Sequence, residues 1–393
     1  MNKLEFYKEV CRQYLIINDD SYIDVVFGVF FANRLDSNPV WLYLIGSPSS
    51  GKTEVAASTG GKFIDGKLVL SDSDLVIMRD TLTIHSLISG YIPKDGKKGP
   101  ELSLLPLLDG KILIIKDFTL MLQMRREVLH EILGQLRAAY DGNLVRSMGT
   151  ETKGFDAKFG IIACVTADID QHRAILAALG ERFLSFRLPP CSDYEGKKRS
   201  MKATDGQLTS EQRLDLAVAA HNLINSNPKI PTITTPFRRK LVNMAAVVAR
   251  ARTEVRRDRY TKEPDLPDPE VPVRISKQLV DLALGITMAR NKHAVGQSEI
   301  DLVSRVALHA VSPKRLLLFT ALLNHYPEEV SAVDIAEEIR FKEGTVALWL
   351  DDLYLLELVD RRTAYKPIGE TKRLTKCHFW KIRDAKTLKQ VII

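Results

Sequence analysis

The chain has 393 residues and a formal net charge of +7; with 45% hydrophobic and 27% charged residues, it has the composition of a folded protein of two or three domains, not of a disordered or fibrous one. Its four cysteines form no C-x-x-C pair, which argues against a zinc site or a disulfide framework and favours the reducing cytoplasm. No apolar run approaches the roughly 18 residues that cross a bilayer, and the first residues lack the features of a signal peptide, so we expect no membrane partner and no export.

Residues 1–39 are predicted to form two short helices that pack on the domain that follows. Between residues 40 and 190, short apolar runs alternate with helical stretches, and the runs lack strict polar alternation. These runs are Val40–Ile45, Lys67–Leu70, Ile112–Ile115 and Gly160–Thr166. Strands of this kind are typical of a parallel sheet that is buried on both faces, so the fold class is predicted to be α/β, doubly wound.

A complete phosphate loop, G-x-x-x-x-G-K-[ST], follows the first of these runs and precedes a helix-compatible stretch. Its residues are Gly46, Ser47, Pro48, Ser49, Ser50, Gly51, Lys52 and Thr53. The glycines let backbone N–H groups surround a β-phosphate, Lys52 can reach the β- and γ-phosphates, and Thr53 can bind Mg²⁺. A chance match within a turn is the alternative. The preceding strand favours a site for a nucleoside triphosphate with Mg²⁺.

Two further residues at strand ends fit the same site. Asp117 ends the apolar run Ile112–Ile115, where an ATPase of this kind places a carboxylate opposite Thr53 to hold Mg²⁺. Thr166 ends the next apolar run and can orient the attacking water or contact the γ-phosphate.

The remainder of the chain is predicted to form two more domains. Residues 191–311 are predicted to be a helical lid, interrupted between Pro264 and Pro272. Residues 312–393 show three helices and then basic, β-capable segments, an order that describes a winged helix-turn-helix.

After Thr166 the chain reads Gly180-Glu181-Arg182-Phe183. The order of phosphate loop, Asp117, Thr166 and this segment resembles a AAA+ ATPase, and the segment is similar to the arginine finger of minichromosome maintenance (MCM) helicases and their phage or mobile-element relatives. The resemblance covers roughly residues 40 to 390. It implies that the cofactor is ATP and that Arg182 enters the ATP site of a neighbouring subunit, which requires a homo-oligomeric ring, expected to be a hexamer. An ion pair within the chain is the alternative for Arg182.

The helix that begins near Pro272 resembles the lid helix of these ATPases, in which a basic residue contacts the γ-phosphate. The resemblance favours Arg274 for this contact. Lys277 lies one turn further along and shares its face, and Arg238 and Arg239 are weaker candidates. A solvated basic helix face is the alternative for all of them.

The chain departs from the MCM pattern at Asp117. In that family the strand ends in Asp-Glu, whereas here it ends in Lys116-Asp117-Phe118. Aligned on the phenylalanine, Asp117 replaces the catalytic glutamate; aligned on metal binding, it is the Mg²⁺ ligand and has no adjacent base. Hydrolysis is then slow, or a carboxylate such as Glu127 or Glu131 acts as the base.

Two segments carry the DNA-binding candidates. Residues 142–158 resemble the hairpin that projects into the pore of MCM-like and superfamily 3 helicases, with Lys153 as the expected phosphate contact, supported by Arg146 and Lys158. A plain surface hairpin is the alternative. From residue 357 to 393 there are ten Lys or Arg residues against four acids, which indicates a polyanion partner or a solvated tail. The contacts expected in this predicted wing are Arg361, Arg362, Lys372, Arg373 and Lys376.

The resemblance thus implies a ring-forming ATPase that translocates on or unwinds single-stranded or forked DNA during replication of a phage, plasmid or other mobile element. The alternative is a helicase loader or an ATP-switched subunit that does not unwind DNA. A nucleotide-responsive DNA-binding regulator fits less well. A small-molecule kinase fits least, because a kinase needs neither Arg182 nor the last domain.

Overall fold

The computed structural model describes residues 2–392 apart from 65–66, 70–71, 90–102, 149–150, 178–179, 205, 207, 259, 262 and 369–372. The chain divides into two compact units, and each unit is formed by two stretches of sequence. The first consists of Met1–Ile233 with Val280–Glu299, and the second of Thr234–Leu279 with Ile300–Ile393. Residues of the predicted lid, 191–311, therefore belong to both units.

The first unit begins with two helices, α1 (Lys3–Tyr14) and α2 (Ser21–Ala32). Every residue of α2 after Ser21 is buried, as its apolar sequence predicts. The Asn33 amide donates to the Val40 carbonyl oxygen at 2.9 Å, and its Oδ1 accepts the Val40 N–H at 3.0 Å, so the end of α2 is fixed to the first strand of the sheet. Residues 1–39 thus pack on the sheet of this unit.

The sheet and its helices follow in chain order. They are β1 (Trp41–Ile45), α3 (Lys52–Ser58), β2 (Lys62–Ile64), β3 (Lys67–Val69), β4 (Val76–Arg79), α4 (Leu105–Leu108), β5 (Ile112–Ile115), α5 (Phe118–Leu122), α6 (Arg126–Tyr140), β6 (Asn143–Met148), β7 (Glu151–Asp156), β8 (Gly160–Val165), a 3-10 helix (Ala167–His172), α7 (Arg173–Ala177), β9 (Phe183–Arg187), α8 (Asp193–Thr204) and α9 (Ser210–Ile224). Five of the strands form a parallel sheet in the order β4-β5-β8-β1-β9, which confirms the predicted α/β class.

The register of the sheet brings strand ends together. Ile45 pairs with Val165 of β8 on one side and with Arg187 of β9 on the other, so these strands end at the same level. Every residue of β1, β5 and β8 is buried, as predicted from their unbroken apolar runs. In open α/β sheets, ligands bind in the crevice beyond the carboxyl ends of the strands.

Aromatic side chains pack against the middle of β1, between the two ends of the sheet. Tyr43 of β1 stacks on Phe183 with 4.0 Å between ring centroids, and its ring also contacts Phe118 at 5.1 Å. Because Phe118 follows Asp117 and Phe183 follows Arg182, one aromatic side chain of β1 anchors both candidate segments.

The prediction that Lys67–Leu70 belongs to the parallel sheet is wrong. Residues Lys67–Val69 pair antiparallel with Lys62–Ile64 in a separate two-stranded hairpin. Only two residues separate these strands, whereas parallel neighbours need a crossover of about a dozen residues or more. The outer strands of the sheet are instead β4 and β9, which were not predicted; in β9 the polar Ser185 and Arg187 interrupt the apolar run.

The second unit contains the remaining elements. They are α10 (Thr235–Arg252), α11 (Val273–Ala289), α12 (Gln297–His309), α13 (Pro313–His325), β10 (Val330–Ser331), α14 (Ala332–Ile339), α15 (Glu343–Leu355), β11 (Val359–Ile368), β12 (Arg373–Ile382) and α16 (Ala385–Ile392), of which α11 and α12 also contribute residues to the first unit. Three helices and then a hairpin occur here in the predicted order, and β10 joins the hairpin in an antiparallel sheet ordered β10-β12-β11. Among the described residues no single helix has both the length and the hydropathy to cross a bilayer; only α12 and α13 taken together, with a sharp bend between them, reach both.

A buried ionic cluster joins α1, α2 and residues 290–299 of the first unit. The Asp24 and Glu299 side chains are almost fully enclosed; Asp24 contacts Lys8 at 2.5 Å and Arg290 at 2.6 Å. Glu299 contacts Arg290 at 2.5 Å and Lys292 at 2.7 Å. Burial alone raises the pKa of Glu299, but hydrogen bonds from Lys292, Arg290 and a backbone N–H outweigh it and lower the pKa from 4.5 to about 2.

We expect Glu299→Gln to lower the free energy of unfolding by about 3 kcal/mol at pH 7, because a pKa that is lower in the folded state stabilises the folded protein when the carboxyl is charged. The contribution of Glu299 is complete above its unfolded pKa, near 4.5, and is lost as the pH falls towards 2. Urea denaturation at pH 7, 4 and 3 measures it. The control is Glu211→Gln on the exposed side of α9; equal losses in the two variants would contradict the assignment.

Candidate nucleotide site

The phosphate loop connects the end of β1 to the start of α3, at the carboxyl edge of the sheet. Gly51 has a φ of +84° and Ser49 a φ of +59°, so the loop turns through two left-handed positions before the helix. A side chain at Gly51 would be strained in this conformation. The Gly46 N–H donates to the Val165 carbonyl oxygen at 3.1 Å and fixes the start of the loop to β8. The loop therefore has the strand-loop-helix context that its motif requires.

Lys52 is the first residue of α3, and its side chain lies under the loop. It is only 7% exposed, and its Nζ donates to the Ser47 carbonyl oxygen at 3.1 Å. Burial lowers the pKa of Lys52, and electrostatic interactions with the Cys164 side chain and with Asp117 oppose that effect. An anion held by the loop would stabilise this ammonium group, because buried charges are costly unless paired.

The two predicted metal ligands lie close to Lys52. The Thr53 hydroxyl hydrogen-bonds to the Cys164 thiol near the end of β8, and the charge of Asp117 acts on both Cys164 and Lys52. Burial raises the pKa of Cys164 to about 12, against the opposing effects of Lys52 and Thr53, so the thiol stays protonated. Thr53 and Asp117 thus both act on the Cys164 thiol, which is neutral.

A chain of hydrogen bonds continues from Asp117. Its Oδ1 accepts the Thr119 N–H at 3.1 Å, and Thr119 Oγ1 accepts the Thr166 N–H at 3.1 Å. The Thr166 hydroxyl donates to Asp168 at 3.0 Å. Thr119 and Asp168 were not among the residues predicted from the sequence; their only signal is a polar residue two positions after each predicted strand end.

Lys116 extends away from this chain of hydrogen bonds. Its Nζ lies 2.7 Å from Asp80, at the end of the outer strand β4, and its backbone N–H donates to the Arg79 carbonyl oxygen. Glu127 and Glu131, the carboxylates suggested as substitutes for a base, lie at exposed positions of α6.

Arg182 is held inside its own chain. It is 5% exposed, donates twice to the Asp141 carboxylate, with a closest distance of 2.8 Å, and lies over the ring of Tyr140 at 5.4 Å. It also donates to the Gly180 carbonyl oxygen. Asp141 itself is 57% exposed, so one side of this ion pair borders solvent.

A second ionic group borders the phosphate loop and was not identified from the sequence. Arg187, at the end of β9, contacts the Asp170 carboxylate through both terminal nitrogens, at 2.6 and 2.8 Å, and Arg173 contacts it at 2.9 Å. Burial raises the pKa of Asp170, but the two guanidinium groups outweigh it and lower the pKa below its usual range. Asp170 therefore remains ionised and fixes the 3-10 helix to β9.

The four lid candidates all lie in the second unit. Arg274, in the first turn of α11, is 3.8 Å from Glu270, and Lys277 follows one turn later. Arg238 and Arg239 occupy the first turns of α10.

The hairpin of residues 142–158 is formed by β6 and β7, where Arg146 and Lys153 occupy paired positions. Their side chains lie outside the described part of the chain. Lys158 follows the hairpin; its Nζ donates to the Leu35 carbonyl oxygen, just before β8 begins. This residue therefore lies at the amino end of the sheet, opposite the phosphate loop.

The predicted wing corresponds to β11 and β12. Arg361 pairs with Asp351 at 2.9 Å, and Arg362 pairs with Glu329 at 2.5 Å. Arg373 and Lys376 lie on β12, where only their backbone is described, and Lys372 lies outside the described residues.

No group of three His, Cys, Asp or Glu side chains in the described ranges is placed to hold a metal ion by itself. A P-loop site does not need three protein side chains to hold its Mg²⁺, because the nucleotide supplies phosphate oxygens as metal ligands. No protein-family model and no curated protein sequence matches this chain.

Proposed function

We propose that this chain is an ATPase of the AAA+ type that uses ATP and Mg²⁺ to translocate on or unwind DNA. The observation that carries the proposal is the convergence of Lys52, Thr53 and Asp117 beside Thr166 at the carboxyl edge of a parallel sheet. Lys52 supplies a cation for the phosphates, Thr53 and Asp117 supply a hydroxyl and a carboxylate for Mg²⁺, and Thr166 supplies a hydroxyl that can orient the attacking water.

The local structure supports nucleotide binding in particular. The turn through Ser49 and Gly51 leads directly into α3, whose first N–H groups are free of intrahelical partners and carry the positive end of the helix dipole. A phosphate at this point would also neutralise the buried Lys52. The pairing of Lys116 with Asp80 leaves Asp117 as the acid beside Thr53, which favours its role as Mg²⁺ ligand.

In the proposed ring, Arg182 is the residue that completes the ATP site of the next subunit. Its present partner, Asp141, is more than half exposed, so a neighbouring subunit can approach this ion pair. Transfer of Arg182 to a γ-phosphate would exchange one anionic partner for another and leave no buried charge unpaired. A hexamer is the assembly that the family resemblance implies.

The DNA contacts in the proposal are the β6–β7 hairpin and the C-terminal domain, which we interpret as a winged helix. The order of α13, α14 and α15 followed by β11 and β12 supports this interpretation. Arg361 and Arg362 are bound to carboxylates at the surface, and such exposed ion pairs exchange readily for phosphate contacts, since each contributes about 1 kcal/mol or less.

A second candidate function is that of an ATP-controlled switch, such as a helicase loader. It is favoured by the ion pair between Lys116 and Asp80, which occupies the position where MCM-type strands carry a second acid. Slow hydrolysis suits a protein whose nucleotide state governs association rather than strand separation.

A forked-duplex unwinding assay with ATP and Mg²⁺, run together with mass measurement of the assembly, separates the two functions. The proposal predicts a ring-sized oligomer that displaces the labelled strand only when ATP is hydrolysed. ATP-dependent assembly without strand displacement would favour the switch. Sequence-selective DNA binding by a monomer or dimer, indifferent to ATP, would contradict both.

A further inference from the structure

The proposed hydrolysis needs a group that takes the proton of the attacking water. Asp117 lies with Lys52 and Thr53 on the metal side of the site, and Lys116 is bound to Asp80. The end of β5 therefore offers one carboxylate, that of Asp117, both to bind Mg²⁺ and to accept the proton of the attacking water. The question is which other carboxylate the structure connects to this edge.

The polarity of the hydrogen bonds around Thr166 identifies one. A threonine hydroxyl has a single proton and two lone pairs. That of Thr166 donates to Asp168 Oδ2 at 3.0 Å, and Thr119 Oγ1 lies 3.4 Å away as the donor to Thr166 Oγ1. Thr119 Oγ1 in turn accepts the Thr166 N–H. One lone pair of Thr166 Oγ1 remains, and it can accept a hydrogen bond only from a donor such as water.

Resting on the proposed function, we infer that Asp168 is the final proton acceptor in ATP hydrolysis and that it acts through the Thr166 hydroxyl. The oxygen of water forms a bond to the γ-phosphorus while the bond to the β–γ bridging oxygen breaks, which leaves ADP. One proton of the water passes to Thr166 Oγ1, and the original hydroxyl proton of Thr166 passes to Asp168. Asp168 is exposed, so it then returns the proton to solvent.

The other described carboxylates of this edge are engaged differently. Asp170, two residues further on, is bound by Arg187 and Arg173, which stabilise its ionised form and make it a poor base. Asp80 is bound to Lys116. Asp168 is the acid that hydrogen-bonds directly to the strand-terminal threonine, and its place on the 3-10 helix after β8 is fixed by the neighbouring Asp170.

Asp168→Asn tests the inference with little change in shape, because the amide oxygen can still accept the Thr166 hydroxyl but the side chain cannot take its proton. The expected result is a fall in kcat of about 100-fold or more, with ATP affinity and KM within twofold of wild type. Asp168→Glu should recover part of the rate. Thr166→Val should lose as much as Asp168→Asn, whereas Thr166→Ser, which keeps the hydroxyl, should retain most of the activity.

The matched control is Asp193→Asn, an exposed carboxylate at the start of α8, for which no change is expected. Each variant is measured as the full chain for ATP affinity and for single-turnover hydrolysis with saturating Mg²⁺. Wild-type kcat in Asp168→Asn would overturn the inference and leave the proposed ATPase intact. Loss of ATP affinity in that variant would overturn it as well, because it would assign Asp168 a structural role. A wild-type protein that binds ATP without hydrolysing it would overturn both the inference and the proposed ATPase.

Discussion

Replacement of Lys52 by alanine is expected to weaken ATP binding about 100-fold and to remove turnover. The side chain lies buried under the phosphate loop, where it supplies the positive charge nearest to the expected β- and γ-phosphates. Charge-assisted hydrogen bonds of this kind contribute about 3 kcal/mol, which corresponds to roughly a 100-fold change in dissociation constant. Isothermal titration with ATP and Mg²⁺ measures the affinity, and phosphate release measures the turnover.

The control for this prediction is Lys111→Ala, at the amino end of β5 and away from the carboxyl edge of the sheet. It should leave ATP binding unchanged. Removal of Lys52 also relieves a buried charge, so the folded state of Lys52→Ala should be as stable as that of wild type in the absence of nucleotide, or more stable. Unchanged ATP affinity in Lys52→Ala would contradict the assignment of the loop.

The second large effect concerns Arg182. Replacement by alanine is expected to reduce turnover about 1000-fold or more while ATP affinity stays largely intact, because an arginine finger acts on the charge that develops during phosphoryl transfer. The structure adds a competing explanation, since Arg182 is buried against Asp141 and Tyr140 within its own chain. Its loss therefore also affects folding.

Asp141→Asn separates these two roles. If Arg182 leaves Asp141 to serve the neighbouring subunit, loss of the carboxylate releases the guanidinium, and turnover should be retained or raised. If the pair is only structural, both variants should lose stability and turnover in parallel. Thermal unfolding and turnover, measured on Arg182→Ala and Asp141→Asn side by side, distinguish the outcomes. Full turnover in Arg182→Ala would exclude the finger.

The interior of the sheet was predictable from the sequence, and its edges were not. The strands β1, β5 and β8 are buried along their whole length, so their apolar runs are unbroken and can be recognised in the sequence. The outer strand β9 carries the polar Ser185 and Arg187, which break its apolar run in the sequence. The run at Lys67 was assigned to the wrong sheet because composition does not specify a strand's partner.

The candidate site likewise has parts that could be predicted from the sequence and parts that could not. The phosphate loop is contiguous in sequence, so its local motif specifies its geometry. Thr119 becomes visible only because β5 and β8 are neighbours and bring two loops, 47 residues apart at Thr119 and Thr166, within hydrogen-bonding distance. Asp168 lies only two residues after Thr166, but a polar residue at that spacing does not by itself indicate a hydrogen bond to the Thr166 hydroxyl. The pairing of Arg182 with Asp141 likewise spans 41 residues and has no local signal.

In the proposed assembly, a second copy of the chain completes the ATP site. The most direct test is the rate of ATP hydrolysis per chain, measured over a range of protein concentrations from well below to well above assembly and with mass measurement at each point. We expect the rate per chain to rise steeply with assembly, and Arg182→Ala to show no such rise. A rate per chain that is independent of concentration, with full activity in the monomer, would contradict it.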